Sequence, residues 1–193
     1  MIKWKFFVIL AFLDFKLSWA IRAFHGHCPD NMTAVADLDM ERFKGKWYTH
    51  SLYPPLSLKV PKCQSTEFVE KAGHHFIVKA RELSGQTGTV RFRKAPILKV
   101  EPKYGRYVLG TKNPAFPEGV LLYVLDTDYT NFAIRFMCFD SSHIFSFHWA
   151  VIQTRKRLPS AQVIYMAQYY ANRAGLMISD MSKVHQESCP PDT

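Results

Sequence analysis

The 193-residue sequence has no apolar run long enough to cross a membrane, no low-complexity tract and no internal repeat. A spanning helix needs about 20 consecutive apolar residues, and the run Phe6 to Leu13 is cut short by Asp14 and Lys16. Cysteine is scarce: the four residues Cys28, Cys63, Cys138 and Cys189 never approach the close spacing that structural zinc sites favour, so no zinc module is expected. Acidic residues are outnumbered 16 to 25 by lysine and arginine, giving a formal charge of +9. Those basic residues are scattered, with Arg155-Lys156-Arg157 the densest group, and no nucleic-acid-binding module is present. Neither a Ser-His-Asp order nor a paired-carboxylate signature can be identified. The composition, 48% apolar, instead suits one domain with a substantial core.

Lys3 and Lys5, the apolar run and Ser18-Trp19-Ala20 together have the pattern of a secretory leader over residues 1–20, with one domain expected over 21–193. Loss of the leader takes Lys3, Lys5, Lys16 and Asp14 out of the count and lowers the charge from +9 to +7. In an oxidising compartment four cysteines read as two disulfides, for which three connectivities exist. Asn31-Met32-Thr33 is then a glycosylation sequon. Weak attraction to anionic surfaces is the bland consequence of the remaining charge.

Short β-forming runs succeed one another: Gly45 to Tyr53, Gln64 to Lys71, His75 to Leu83, Thr87 to Lys94, Tyr104 to Thr111, Val120 to Asp126, Asn131 to Phe139 and Ile144 to Arg155. Eight strands at hairpin spacing suggest a sandwich or an up-and-down barrel. One helix is predicted, Pro159 to Ala174, with Val163, Met166, Ala167, Tyr170 and Ala174 on one face. The run Asn131 to Phe139 is apolar on both faces except for Arg135, so its Phe132, Ile134 and Phe136 face can receive that helix.

Phe43-Lys44-Gly45-Lys46-Trp47, Thr127-Asp128-Tyr129 and Arg155 occur in that order, and with them the sequence resembles a lipocalin. It is most similar to the branch holding apolipoprotein D and the insect bilin-binding proteins. The resemblance implies an all-β fold, an eight-stranded antiparallel up-and-down barrel over about residues 45–155 with one C-terminal α-helix packed outside. It also implies the pairs Cys28-Cys138 and Cys63-Cys189, the latter tying down the C-terminal tail. Gly45, Trp47, Thr127, Asp128, Tyr129 and Arg155 are expected to be structural, with Arg155 stacked on Trp47 for about 0.5 to 2 kcal/mol.

Alternation places Thr49, Tyr53, Phe68, Phe76, Val78, Ala80, Phe92, Tyr107, Leu122, Arg135, Met137, Phe147 and Trp149 inside the barrel. Aromatics mixed with small residues leave room for a ligand. The resemblance implies a carrier of a small hydrophobic molecule: a bilin, retinoid, fatty acid, sterol or similar lipid. A permanently charged Arg135 facing an apolar space favours a ligand with a carboxylate, the competing reading being an internal acid or solvent as its partner. Haem is not expected, because no histidine falls on the inward parity: His25, His27, His50, His74, His75, His143, His148 and His185 lie at ends, turns or outward positions. With all four cysteines paired no thiolate nucleophile remains, so neither catalysis nor a cofactor or metal is expected. Monomer or weak oligomer is the expected state. The alternative function is an extracellular interaction, signalling or defence protein that engages a protein partner or cell-surface receptor through its loops, especially Tyr53 to Pro61 and Asn113 to Glu118.

Overall fold

The computed structural model describes residues 23–28, 32–53, 62–85, 87–112, 114, 116–141 and 145–192. The expected leader, the sequon at Asn31, His143 and most of the loop from Tyr53 to Pro61 lie outside the described residues. Among the described residues ten strands form one sheet: β1 Ala23–His25, β2 Gly45–Tyr53, β3 Lys62–Lys71, β4 His75–Leu83, β5 Val90–Glu101, β6 Arg106–Leu109, β7 Val120–Thr127, β8 Phe132–Ser141, β9 Phe145–Thr154 and β10 Ser182–Lys183. Strands β2 to β9 run antiparallel in chain order, and β9 returns to pair with β2, closing an eight-stranded barrel. Closure removes the free edges that an open sheet would expose. Where β9 and β2 diverge, β1 takes the free edge of β9 at Phe145 to Phe147, and β10 takes that of β2 at Ser51 and Leu52.

The helices follow from local chemistry. Asp39 caps the single turn α1, Met40–Phe43, and its side chain accepts from the Arg42 amide. Ser160 does the same for α2, Ala161–Arg173, accepting from the Val163 amide, while Gly175 adopts a left-handed conformation just past its end. Ala167 and Ala171 are fully buried, and their small size lets α2 approach β8 and β9 closely. The covered surface is Phe132, Ile134 and Phe136 with Ala150 and Ile152, and Tyr170 stacks on Phe132 with ring centroids 5.5 Å apart. One apolar face of β8 is thereby accounted for.

The other face looks into a barrel that is plugged at one end. Arg155 lies 3.7 Å above the Trp47 ring and donates to the carbonyls of Arg42, Lys44, Lys46 and Tyr129. A Cβ on Gly45 would come within 3.1 Å of the Arg155 guanidinium, and Gly45 has φ +95, so both space and conformation call for glycine there. Asp128 holds the neighbouring turn by accepting from the amides of Thr130, Asn131 and Phe132, which lets Tyr129 adopt φ 65. Phe43, Trp47, Phe68 and Tyr107, all 0–1% exposed, make a solid floor with Phe76, Ile97 and Val124.

Two strands depart from expectation. β5 continues through Pro96 to Glu101 instead of ending at Lys94. The Pro96 carbonyl accepts from Gly110, which lies just past the end of β6, so the missing N–H points where no strand is left to receive it. β6 is shorter than expected, because Pro102–Tyr104 forms a 3₁₀ turn and Gly105 must pass against the Val35 carbonyl.

The C-terminal tail completes the wall. β2 and β3 pair only from Gly45 to Tyr48, and beyond that the gap is bridged by Gln186, which donates to the carbonyls of Thr49 and Gln64 at 2.8 Å. Cys63-Cys189 fixes this strap, and Cys28-Cys138 fixes the N-terminal segment to β8. Outside the wall, Arg81 donates to the carbonyls of Pro190 and Pro191, and Asp192 gathers Lys46, Tyr48, Arg81 and Arg157. Burial alone would raise the Asp192 carboxyl, but its hydrogen bonds from Tyr48, Arg157 and Lys46 outweigh that and hold it at about 2. Because the folded value is depressed, this contribution to stability is present above the ordinary carboxylate range and is lost as pH falls toward 2. Thermal unfolding followed from pH 5 to pH 2 should therefore show a steeper loss for the wild type than for Asp192→Asn, with the two curves converging at the acid end.

Candidate ligand cavity

Above the floor the barrel holds a cavity of about 290 Å³. Its apolar lining is Val78, Ala80, Leu109, Leu122, Met137 and Trp149; its polar lining includes Thr49, Gln64, Thr66 and Arg135. Arg135 projects from β8 at the boundary between floor and cavity and is only 4% exposed. Its Nε donates to Gln153 Oε1 at 2.9 Å, one terminal nitrogen to the Tyr107 hydroxyl at 2.9 Å, and the other to Thr66 Oγ1 at 3.3 Å. Gln153 is held in turn by Thr49 and Thr66, to which its amide donates at 3.1 and 3.2 Å. The guanidinium also lies 5.3 Å from the Phe68 ring centre and 5.8 Å from that of Trp149.

Every one of these partners is neutral. Among the described residues no carboxylate lies within ion-pair distance of Arg135, so the charge is solvated by dipoles and aromatic faces alone. A guanidinium has five N–H donors, and three are used here. Burying an unpaired charge costs several kcal/mol, and three hydrogen bonds with two ring faces offset only part of that. One further acceptor, Gln64 Oε1, is buried at the cavity wall without a hydrogen-bond partner.

No family model matches the chain. Apolipoprotein D of Macaca fascicularis is 25% identical over 157 residues, 80% of this chain and 80% of that protein. Insecticyanin from the tobacco hornworm Manduca sexta superposes with a TM-score of 0.71 at 19% identity, covering 86% of this chain and 89% of its own. Lobster apocrustacyanin A1 gives 0.66 at 18% identity, covering 90% and 94%. The chain has the fold of these proteins, a closed eight-stranded barrel with one helix outside. Both cysteine pairs are closed, leaving no free thiol.

Within this barrel the expected interior residues separate into four groups. Thr49, Val78, Ala80, Leu122, Arg135, Met137 and Trp149 line the cavity. Phe68, Phe76 and Tyr107 belong to the packed floor, where Tyr107 reaches the site through its hydroxyl. Phe147 keeps the inward parity but packs on Phe139, which meets Phe116 toward the open end. Tyr53 and Phe92 point outward, against expectation.

For Tyr53 the cause is a β-bulge between Thr49 and Ser51, which shifts the pairing with β9 by one residue. Leu52 then faces Val151, while Tyr53 faces Ala150 and joins the cluster beneath α2. For Phe92 the register decides. Arg93 pairs with inward Ala80, and Phe92 pairs with Arg81, whose side chain runs outside to the tail, so Phe92 is 61% exposed.

Sequence reasoning passed over Thr66, Gln153, Gln64, Glu82, Arg91, Arg93 and Leu109. Thr66 and Gln153 carried a signal, since each stands two residues from an inward position, Phe68 or Val151. Among the described residues no histidine lines the cavity: His148 lies on the outer parity against Phe136, and burial lowers its pKa. Glu41, Glu70 and His74 approach one another at the surface, but Lys44 donates to both carboxylates, which makes the group an ion-pair cluster.

An unpaired buried charge predicts an unusual mutational outcome. Arg135→Met keeps the length of the side chain and removes the desolvated charge, while Gln153, Thr49 and Thr66 retain their mutual bonds. The ligand-free variant should unfold in denaturant within about 1 kcal/mol of the wild type or above it. A loss of 3 kcal/mol or more, the range for breaking a buried pair, would show that the arginine is there to hold the barrel together.

Proposed function

We propose that this protein binds, inside the barrel, a small hydrophobic molecule bearing an acidic group, and that Arg135 is the partner of that group. The observation that carries the reading is the buried guanidinium with three neutral hydrogen-bond partners and no counter-charge, set at the base of an apolar cavity. A carboxylate arriving there trades water for two unused N–H donors and cancels the charge that the empty barrel leaves unpaired.

The cavity volume of about 290 Å³ sits at the small end of ligand pockets. It favours a slender chain, such as a fatty acid or a linear isoprenoid acid, over a sterol or a bilin. The leader-like residues 1–20, absence among the described residues of a helix able to cross a membrane, and two disulfides support release to an oxidising compartment as a single-domain carrier. In that compartment Asn31 is a glycosylation acceptor.

The test is a comparison of fatty acids with their matching alcohols by quenching of Trp149 fluorescence. Arg135→Met should weaken the acid by about 1.5 to 3 kcal/mol, the range for a charge-assisted hydrogen bond, and leave the alcohol nearly unchanged. Equal losses for the two would mean that Arg135 shapes the cavity without reading charge. A wild-type barrel that takes up neither probe would shift the function to the loops and a protein partner.

A further inference from the structure

Arg135 is not the only arginine that meets the cavity. The register that turns Phe92 outward turns its neighbours Arg91 and Arg93 inward, where they line the open-end wall of the same space. Among the described residues the fixed charges lining the cavity by inward parity are therefore Arg91, Arg93 and Arg135 against a single carboxylate, Glu82. Glu82 is shared with one of them: Arg93 lies 3.3 Å from it and is 70% exposed. Arg91 stands directly opposite Glu82 across the β4–β5 ladder, yet among the described residues it has no ion pair of its own.

Two cationic positions are thus separated by apolar wall. Thr66, which Arg135 touches, is paired with Ala80, and Ala80 with Arg93, so two strand spacings, about 10 Å, lie between the Thr66 and Arg93 backbones. Arg91 is two residues nearer the open end, about 7 Å further. Val78, Ala80, Leu109, Leu122 and Met137 belong to the apolar lining of the same space. A chain with one acidic group would satisfy Arg135 and leave the upper pair facing either its apolar tail or water.

We infer that the ligand is acidic at both ends: a slender apolar chain with one anionic group on Arg135 and a second held by Arg91 and Arg93 at the mouth. This rests on the reading of Arg135 given above and extends it to a second subsite. Glu82 acts as the resident stand-in for the second group, engaging Arg93 while the site is empty and competing with the ligand for it.

The experiment uses α,ω-dioic acids from octanedioic to tetradecanedioic and their monomethyl esters, which keep one carboxylate and neutralise the other. For the best-fitting length the wild type should bind the diacid about three- to tenfold more tightly than its half-ester, as expected for part-exposed arginines, and salt should narrow that gap. The double variant Arg91→Gln, Arg93→Gln should erase the gap while leaving the half-ester unaffected. Glu82→Gln should widen it. Half-esters that bind well with no preference for any diacid, or a preference that survives the double substitution, would overturn the second subsite and leave the first intact. Failure of every half-ester to bind the wild type would overturn both.

Discussion

An eight-stranded barrel is wide enough to be filled by side chains or to hold one small molecule, and the stack of Arg155 on Trp47 determines how this one divides its interior. The guanidinium closes one end by collecting four backbone carbonyls, and the ring beneath it starts a solid layer of Phe43, Phe68 and Tyr107. Everything above that layer is left open. The turn at Asp128, the glycine at position 45 and the single turn at Met40–Phe43 all serve this stopper, since each brings a backbone group within its reach. The ligand space exists because the packing is concentrated at one end.

Arg135 stands on the boundary, and its surroundings differ in kind from those of Arg155. Arg155 is satisfied by carbonyls and an aromatic face in a setting that needs nothing more. Arg135 has two hydroxyls, one amide oxygen and two more distant rings, and part of its donor capacity is left toward the cavity. Natural cores seldom keep an uncompensated charge. In the proposed function such a group is a reserve of binding energy, held in place by Gln153, Thr66 and Tyr107 so that little ordering remains to be done when an anion arrives.

The barrel, its closing motifs and the helix on β8 were legible because they follow from alternation, caps and a short set of residues in order. The two positions placed on the wrong face show where alternation stops being enough. A parity count assumes an unbroken strand, and the bulge after Thr49 inverts everything beyond it, which moved Tyr53 to the helix side. Phe92 follows a different logic: its strand reads equally well in either parity, and Ile97 and Ala95 further along settle it by facing the core. Placing Phe92 inside puts Arg91 and Arg93 outside, which is why neither was expected at the cavity. Tail contacts were invisible for a simpler reason. Gln186 and Asp192 act across more than 100 residues of sequence, in a segment without periodicity.

The proposed function requires a ligand carboxylate to meet the buried guanidinium of Arg135, whose hydrogen-bond partners are all neutral. The most direct measurement is the carbon-13 resonance of a carboxyl-labelled fatty acid bound to the protein, followed as a function of pH. Contact with Arg135 stabilises the charged form, so the bound carboxyl should stay ionised well below the pH at which the free acid protonates, and Arg135→Met should abolish that depression. A bound carboxyl that titrates at or above its ordinary value in the wild type would place the acid group away from Arg135 and contradict the account.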